Sequence, residues 1–313
     1  MHRIKLNQSV NLSSGSVLTI GNFDGVHVGH QQLINAAVEQ GQRLGLPVVL
    51  VTFSPYPHDY FRGENAPLRL QRLSEKILTL LPFSVDEVAC LRFDARLANM
   101  SAQDFVSQLF VKQLKVKHVV VGDDFRFGKA RQGNAELLAN MGEQLGFSVQ
   151  QVDTVMISGE RVSSSRVRNE LKQGNCSQVK LLLGRYYRVV SRVVYGDQRG
   201  RQWGFPTANL PLFRDQSPLQ GIYAVRVEGE DFTALGVASI GFRPVFRLKK
   251  PLLEVFLLDF DRNIYGQRLC VDFVHKIRDE ADFVSVDTLR ERIAQDVVEA
   301  RAFFSENAPF NSE

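Results

Sequence analysis

Long apolar runs are missing from this sequence. No stretch approaches the length of about 20 residues that crosses a bilayer, and the opening MHRIKLNQSV lacks the apolar block that leads a secreted chain. Cysteine is scarce. Cys90, Cys176 and Cys270 stand far apart with no CxxC pair among them, which excludes a disulfide framework and a cysteine-based metal site and points to reduced, buried thiols. Charge of one sign is not in excess either: 38 Lys and Arg stand against 34 Asp and Glu, a formal net charge of +4, and no dense basic run occurs. So diffuse a surplus suits anionic small-molecule substrates and gives no footing for nucleic-acid binding. Internal repeats and low-complexity tracts are absent. These absences lead to the expectation of a cytoplasmic globular protein without membrane or nucleic-acid partners, a monomer or a weak homo-oligomer. The 313 residues suffice for two domains, each with its own core.

What is present changes character along the chain. Between residue 16 and about 155, apolar strands (VLTI, PVVLVTF, VDEVACLRF, KHVVVGD) alternate with amphipathic helical segments (HQQLINAAVEQGQRL, SEKILTLL, SAQDFVSQLFVKQL, NAELLANMGEQL). Ser101 is the expected cap of the third of these helices, with apolar spacing at Phe105, Leu109 and, less regularly, Leu114. Such alternation predicts a parallel sheet covered on both faces, with the chemistry in the turns that follow the strands. Past about residue 185 the pattern becomes a succession of short strands: YYRVVSRVVYG, GIYAVRVEG, TALGVASIG, PLLEVFLLDF and QRLCVDFVHKI. These predict a small antiparallel barrel. A final helix over 286–304 follows, striped by Leu289, Ile293, Val297, Ala300 and Phe304. The boundary is expected at 184/185, giving domains 1–184 and 185–313.

Three strings in the first half could handle phosphate. GNFDGVHVGH, Gly21 to His30, follows a strand and opens a helix. Its glycines 21, 25 and 29 permit a sharp turn and close approach to a ligand, and a helix N-terminus offers free N–H groups to a phosphate. His27 and His30, three apart, share a helical face and could stabilise charge on a phosphoryl group. Competing readings are a metal-binding histidine pair, although no third ligand is evident, and His30 as a helix cap. VVVGDDFRFGKARQGN supplies Asp124 and Arg126 as polar contacts and Phe125 and Phe127 as flat apolar faces, or is a surface loop anchored by two aromatics. VSSSRVRNELKQG has a serine-rich helix start, Ser163 to Ser165, followed by Arg166 and Arg168. It reads as a second phosphate site or as ordinary capping with solvated arginines.

These strings, in this order, resemble the N-terminal domain of bifunctional bacterial riboflavin kinase/FMN adenylyltransferases, which carry a GxFDGxHxGH turn, a GxDFxFG loop and an ISSTxIR helix start. The resemblance spans 16 to about 185. It implies a Rossmann-like nucleotidyltransferase domain in which His27, His30, Ser164, Ser165 and Arg168 engage ATP phosphates. Gly21, Phe23, Asp24 and Gly29 of the turn, and Asp124, fall at nucleotide-binding positions. TFSPYPH is similar to the family's TFxPxP stretch and so places Phe53, Pro55 and Pro57 along the substrate cleft. Ser165 stands where threonine is usual and keeps the hydroxyl.

In the second half, Gly204 and Pro206 of GFPTANL shape a tight loop, and Thr207 and Asn209 put two oxygen-bearing side chains two residues apart. Hard oxygens suit Mg²⁺ with phosphate as co-ligand; a polar turn before a strand is the alternative. In PLLEVFLLDF, positions 252, 254, 256, 258 and 260 read Leu, Glu, Phe, Leu, Phe. Glu254 thus interrupts an apolar strand face, where burial would raise its pKa toward that of a general base, unless it is an edge glutamate paired with an arginine. Together with IGFRPVF, IYG and IRDEADF, these strings resemble the riboflavin kinase domain over about 184 to 304. The resemblance implies a small β-barrel with a C-terminal helix, Thr207 and Asn209 on Mg-ATP, and Glu254 activating the ribityl hydroxyl. Departures from the family pattern stand at Tyr186, Ser191, Ser239, Val245 and Phe256. The activity implied is phosphorylation of riboflavin to FMN and adenylylation of FMN to FAD, with ATP and Mg²⁺. The alternatives are a flavin- or nucleotide-binding regulator, an FMN adenylyltransferase with a degenerate kinase domain, or a different nucleotidyltransferase.

Overall fold

The computed structural model describes residues 1–6, 10–196, 200, 203–212, 217–242 and 251–307. By its internal contacts the chain divides into two compact units, Met1–Ser165 and Arg166–Glu313. No helix among the described residues is long and apolar enough to cross a membrane.

The first unit is built on strands β1 (His2–Lys5), β2 (Ser16–Ile20), β3 (Val48–Phe53), β4 (Glu87–Leu91), β5 (Val116–Gly122) and β6 (Ser148–Val152). Their order is β1-β4-β3-β2-β5-β6; all pairings are parallel except that of the edge strand β1 with β4. Helices α1 (Val28–Leu44), α2 (Pro57–Arg62), α3 (Leu73–Leu80), α4 (Ala95–Ala98), α5 (Ala102–Asp104) and α6 (Ala135–Leu145) connect them. Strand β2 is buried along its whole length because both faces are covered. Leu18, Val49, Val119 and Phe110 pack on one side, and Val17, Leu50, Ile34 and Val48 on the other. Ser101 caps α5 as its position predicts, accepting from the Asp104 N–H at 3.0 Å. Residues Phe105–Gln113 then wind as a π-helix, and Leu114 N–H reaches back five residues to Leu109 C=O. That wider turn is the physical reason for the irregular spacing from Leu109 to Leu114: five residues bring both onto one buried face. A two-stranded hairpin, β7 (Met156–Ile157) with β8 (Glu160–Arg161), follows β6.

Helix α7 (Ser164–Gln173) crosses the division between the units, and α8 (Cys176–Leu183) follows. The second unit is one antiparallel sheet of β9 (Tyr187–Arg192), β10 (Thr207–Pro211), β11 (Gly221–Glu228), β12 (Thr233–Phe242), β13 (Pro251–Leu257) and β14 (Arg268–Arg278), in the order β10-β13-β12-β11-β14-β9. The sheet curls, and its two outermost strands are tied by a single bridge in which Val194 N–H donates to Asn209 C=O at 2.9 Å. Tyr223, Val225, Leu253, Val255 and Phe273 are fully or almost fully buried in the sheet. Helix α9 (Val286–Glu306) packs Ala300 and Phe304 against Ile222, Ala224 and Val274.

Candidate functional site

In the first unit the chain leaves β2 for α1 and β3 on one side, while β5 pairs with its other side. The carboxyl ends of β2 and β5 are therefore a topological switch point of the sheet, the place where α/β sheets bind ligands. Three of the predicted strings lie there: the turn after β2, the loop after β5, and Phe53 at the end of the neighbouring β3.

The turn is tightly wound. Phe23 (φ 46°) and Val26 (φ 43°) sit in the left-handed region that non-glycine residues avoid, at a cost of about 1–3 kcal/mol each. His27 is the N-cap of α1: its Nδ1 accepts from His30 N–H at 3.3 Å, so a neutral ring carries its proton on Nε2. The cap is thus His27, not His30. The two imidazoles stack with centroids 3.6 Å apart and planes at 18°, and Phe23 lies 5.2 Å from the His30 ring. A Cβ on Gly29 would stand 3.3 Å from the His27 ring, so the stack leaves little room for a side chain there. Burial, His27 and the Lys76 ammonium hold His30 well below the ordinary histidine pKa. Its Nδ1 is buried without a hydrogen-bond partner, a donor-acceptor atom that a ligand would satisfy.

The Asp24 carboxylate is buried. It accepts from Leu70 N–H (3.0 and 3.1 Å), Gln71 N–H (3.3 Å) and Tyr56 O–H (3.3 Å). Its backbone carbonyl accepts from the Ser164 hydroxyl at 2.9 Å, which joins the serine-rich helix start to the turn. Ser165 is exposed, and Arg168 follows Ser164 by one turn of α7, half-buried. Asp124 is exposed and ion-paired with Arg161 of the β7–β8 hairpin. Phe127 is buried and bridged to Gly133, with Phe125 stacked on it at 5.3 Å. Phe53 meets Phe93 edge-on at 6.0 Å, Pro57 opens α2, and Pro55 is half-buried between them in the chain.

Lys76 carried no signal in the sequence beyond an amphipathic helix. It is almost wholly buried, and its ammonium donates to Asn22 C=O (2.6 Å) and to Thr52 Oγ1 (3.0 Å), 4.7 Å above the Tyr56 ring. Burial lowers its pKa from 10.5 to about 8.

In the second unit the register aligns the predicted residues. Asn209 of β10 pairs with Glu254 of β13, and Glu254 with Ser239 of β12; one step along, Thr207 pairs with Phe256 and Phe256 with Val237. Paired residues share a face, and this face lines a cavity of about 660 Å³ together with Trp203, Phe205, Arg278, Leu289, Ile293 and Val297. Burial alternates along β13: Leu253, Val255 and Leu257 are buried, whereas Leu252, Glu254 and Phe256 are partly open to the cavity. Glu254 is therefore on a cavity wall rather than in the core. A Cβ on Gly196 would come within 2.5 Å of the Asn209 side chain, so the absent side chain makes room for it. Gly204 (φ 87°) and Pro206 form the approach to β10. Ser239 and Phe256, two of the departures, face the cavity, and Phe205 meets Phe256 edge-on at 5.5 Å. The other two described ones are accommodated by packing: Ser191 Oγ donates to Pro211 C=O at 2.6 Å, and Lys180 lies 4.3 Å over the Tyr186 ring. Val245 lies outside the described residues.

The far wall of the cavity is fixed by charge. Asp296 of α9, buried, takes two bonds from Arg278 of β14 (2.8 and 2.7 Å) and an ion pair from Arg292 (3.0 Å). Among the described residues no group of three or more His, Cys, Asp or Glu could hold a metal ion. Thr207 and Asn209 do offer hard oxygens to the cavity, the donor chemistry that Mg²⁺ shares with phosphate.

The FAD synthetase family matches residues 9–166 and the riboflavin kinase family residues 183–304. The chain is 46% identical over 296 residues to the bifunctional riboflavin kinase/FMN adenylyltransferase of Escherichia coli (strain K12), covering 94% of this chain and 95% of that protein. It is 43% identical over 294 residues to the protein of the same name from Haemophilus influenzae, covering 93% and 95%. The crystal structure of a protein described as a macrolide-efflux protein from Streptococcus pneumoniae is similar with a TM-score of 0.82, at 32% identity over 95% of this chain and 97% of that one.

Proposed function

Because the chain belongs to the family of bifunctional riboflavin kinase/FMN adenylyltransferases, we propose that it makes flavin cofactors in two ATP-dependent steps, each in its own part of the chain: FMN formation in 185–313 and FAD formation in 1–184. Riboflavin, FMN and ATP are its substrates. Cytoplasmic residence, a monomeric or weakly self-associating state and no nucleic-acid partner accompany this reading.

In the first step Glu254 accepts the proton of the riboflavin 5′-hydroxyl as that oxygen attacks the γ-phosphorus of ATP and ADP leaves. Thr207 and Asn209, one and the same face of β10, orient the phosphates; Mg²⁺ held by their oxygens would neutralise phosphate charge. Apolar walls from Phe256, Leu289 and Ile293 exclude water from the ring of the substrate. In the second step a phosphate oxygen of FMN attacks the α-phosphorus of ATP, the bond to the β-phosphate breaks and pyrophosphate leaves. No base is required, since the FMN phosphate is already ionised. His27, His30 and Arg168 stabilise the charge of the transferring group, the helix N-termini with Ser164 and Ser165 receive phosphate oxygens, and Phe53, Pro55 and Pro57 border the flavin.

The observation that supports this best is the row Asn209–Glu254–Ser239, which brings a carboxylate beside Asn209 on one cavity wall. The test is a chromatographic assay with riboflavin, ATP and Mg²⁺. FMN rises first and FAD follows. Glu254→Gln abolishes FMN formation and leaves FAD formation from supplied FMN, and His30→Ala does the reverse. Equal damage to both reactions by both substitutions would refute the two-site assignment.

A further inference from the structure

The phosphate-binding turn carries an unfavourable backbone conformation, and something must hold it. The oxygen at its root is the carbonyl of Asn22, directly before Phe23 with its φ of 46°. Two donors grip that oxygen: the Lys76 ammonium at 2.6 Å and the Thr52 hydroxyl at 3.2 Å. Lys76 comes from α3 and Thr52 from β3, so the grip is tertiary rather than local. From Asn22 the chain passes to Phe23, whose ring lies 5.2 Å from that of His30, and His30 stacks on His27.

We propose that Lys76 is a positioning residue for adenylyl transfer: its buried ammonium anchors the Asn22 carbonyl and so fixes the turn that presents the His27–His30 stack. This inference rests on the adenylyltransferase reading of the first unit. A neutral lysine could still donate, but its hydrogen bond would be weaker and its field on His30 would vanish. A bare cation in an apolar interior would be expelled or neutralised. Here Asn22 C=O, Thr52 Oγ1 and the Tyr56 ring solvate it, and Asp24, hydrogen-bonded to the Tyr56 hydroxyl, supplies the counter-charge. The groups that act on it electrostatically are Asp24 of the turn, Cys90 of β4 and Arg69 ahead of α3, while Tyr56 precedes α2 and His30 belongs to α1. With a pKa of about 8, Lys76 is charged at neutral pH and loses its proton just above it.

The test uses the full chain with histidine-selective isotopic labelling, native and carrying Lys76→Gln or Lys76→Arg. Two quantities are read: the titration midpoint of His30 by NMR, and the pH profile of kcat and KM for FAD formation from supplied FMN. In the native protein the His30 midpoint lies below 6.5, and kcat falls on the alkaline side near pH 8. Lys76→Gln raises the His30 midpoint and lowers kcat about tenfold or more, with KM for FMN less affected. Lys76→Arg, charged throughout, restores the His30 midpoint and removes the alkaline fall. An alkaline fall at the same pH in the arginine variant, or an identical His30 midpoint in the native and glutamine proteins, overturns the proposal. Should neither variant fold, the native pH profile decides: a fall in kcat near pH 8 sustains the proposal, and a kcat that stays level through that pH overturns it. Absence of FAD formation by the native protein would instead refute the adenylyltransferase reading, and the His30 titration would still decide the role of Lys76.

Discussion

Replacing Asp296 by alanine removes the acceptor at the centre of the ion pairs that hold α9 to β14. The Arg278 guanidinium, 16% exposed, then keeps its charge with little water and no carboxylate, left with the Asp279 C=O at 2.9 Å and the Phe283 ring. Removing one member of a buried pair costs about 3–5 kcal/mol. The lower end applies, because Arg292 is more exposed and retains Glu299 at 3.1 Å. At about 3 °C per kcal/mol for a unit of this size, the melting temperature of the second unit should fall by about 10 °C. Differential scanning calorimetry of the full chain measures this directly. Leu289, Ile293 and Val297 of the same helix line the cavity, so loosening α9 should also raise KM for riboflavin in FMN formation, while FAD formation from supplied FMN is unchanged. The double substitution Arg278→Met, Asp296→Leu deletes both charges and should recover most of the lost stability. A double variant as unstable as Asp296→Ala, or a single variant within about 1 kcal/mol of the native protein, would refute the argument from an unpaired buried charge.

Gly196→Ala forces the Asn209 side chain to move, since its Cβ would stand 2.5 Å away; steady-state kinetics should show FMN formation weakened about tenfold through KM for ATP, with little change in melting. Asp24→Ala removes a buried acceptor of the Leu70 and Gln71 N–H groups and of the Tyr56 hydroxyl, for a loss of about 3 kcal/mol in denaturant unfolding. Stability should also depend on pH through Lys76, whose folded pKa of about 8 lies below its unfolded 10.5. Between these values the unfolded chain binds more protons, so stability rises with pH, by about 3 kcal/mol across the window. Lys76→Met should flatten that rise in urea titrations compared at pH 7.5 and pH 10, chosen as roughly the two sides of the window.

Local periodicity was enough for much of the architecture. Alternation of apolar strands with amphipathic helices led to the parallel sheet, and the later run of short strands led to the antiparallel one, because burial imposes a period of two on strands and 3.6 on helices. The edge strand β1 and the hairpin β7–β8 left no such trace, being short and only partly buried. In α9 the apolar stripe read correctly at Ala300 and Phe304, yet the most buried residue of the first half of the helix is Asp296. A pattern of hydrophobicity has no term for a carboxylate whose partner arrives from another strand.

The same division holds for the sites. Sequence alone determined the chemical strings: glycines, histidines and serines at helix starts, and the pairing of Thr207 with Asn209, because these depend on neighbours within a few residues. Only the tertiary structure decided which of them meet and what supports them. Register across three strands set Asn209, Glu254 and Ser239 side by side and put Glu254 on a cavity wall instead of in the core. Folding likewise turned the Asp24 carboxylate inward as an anchor and drew Lys76, 54 residues away in the chain, under the Asn22 carbonyl. Burial, field and hydrogen bonding at such positions come from groups remote in sequence, and no local pattern carries them.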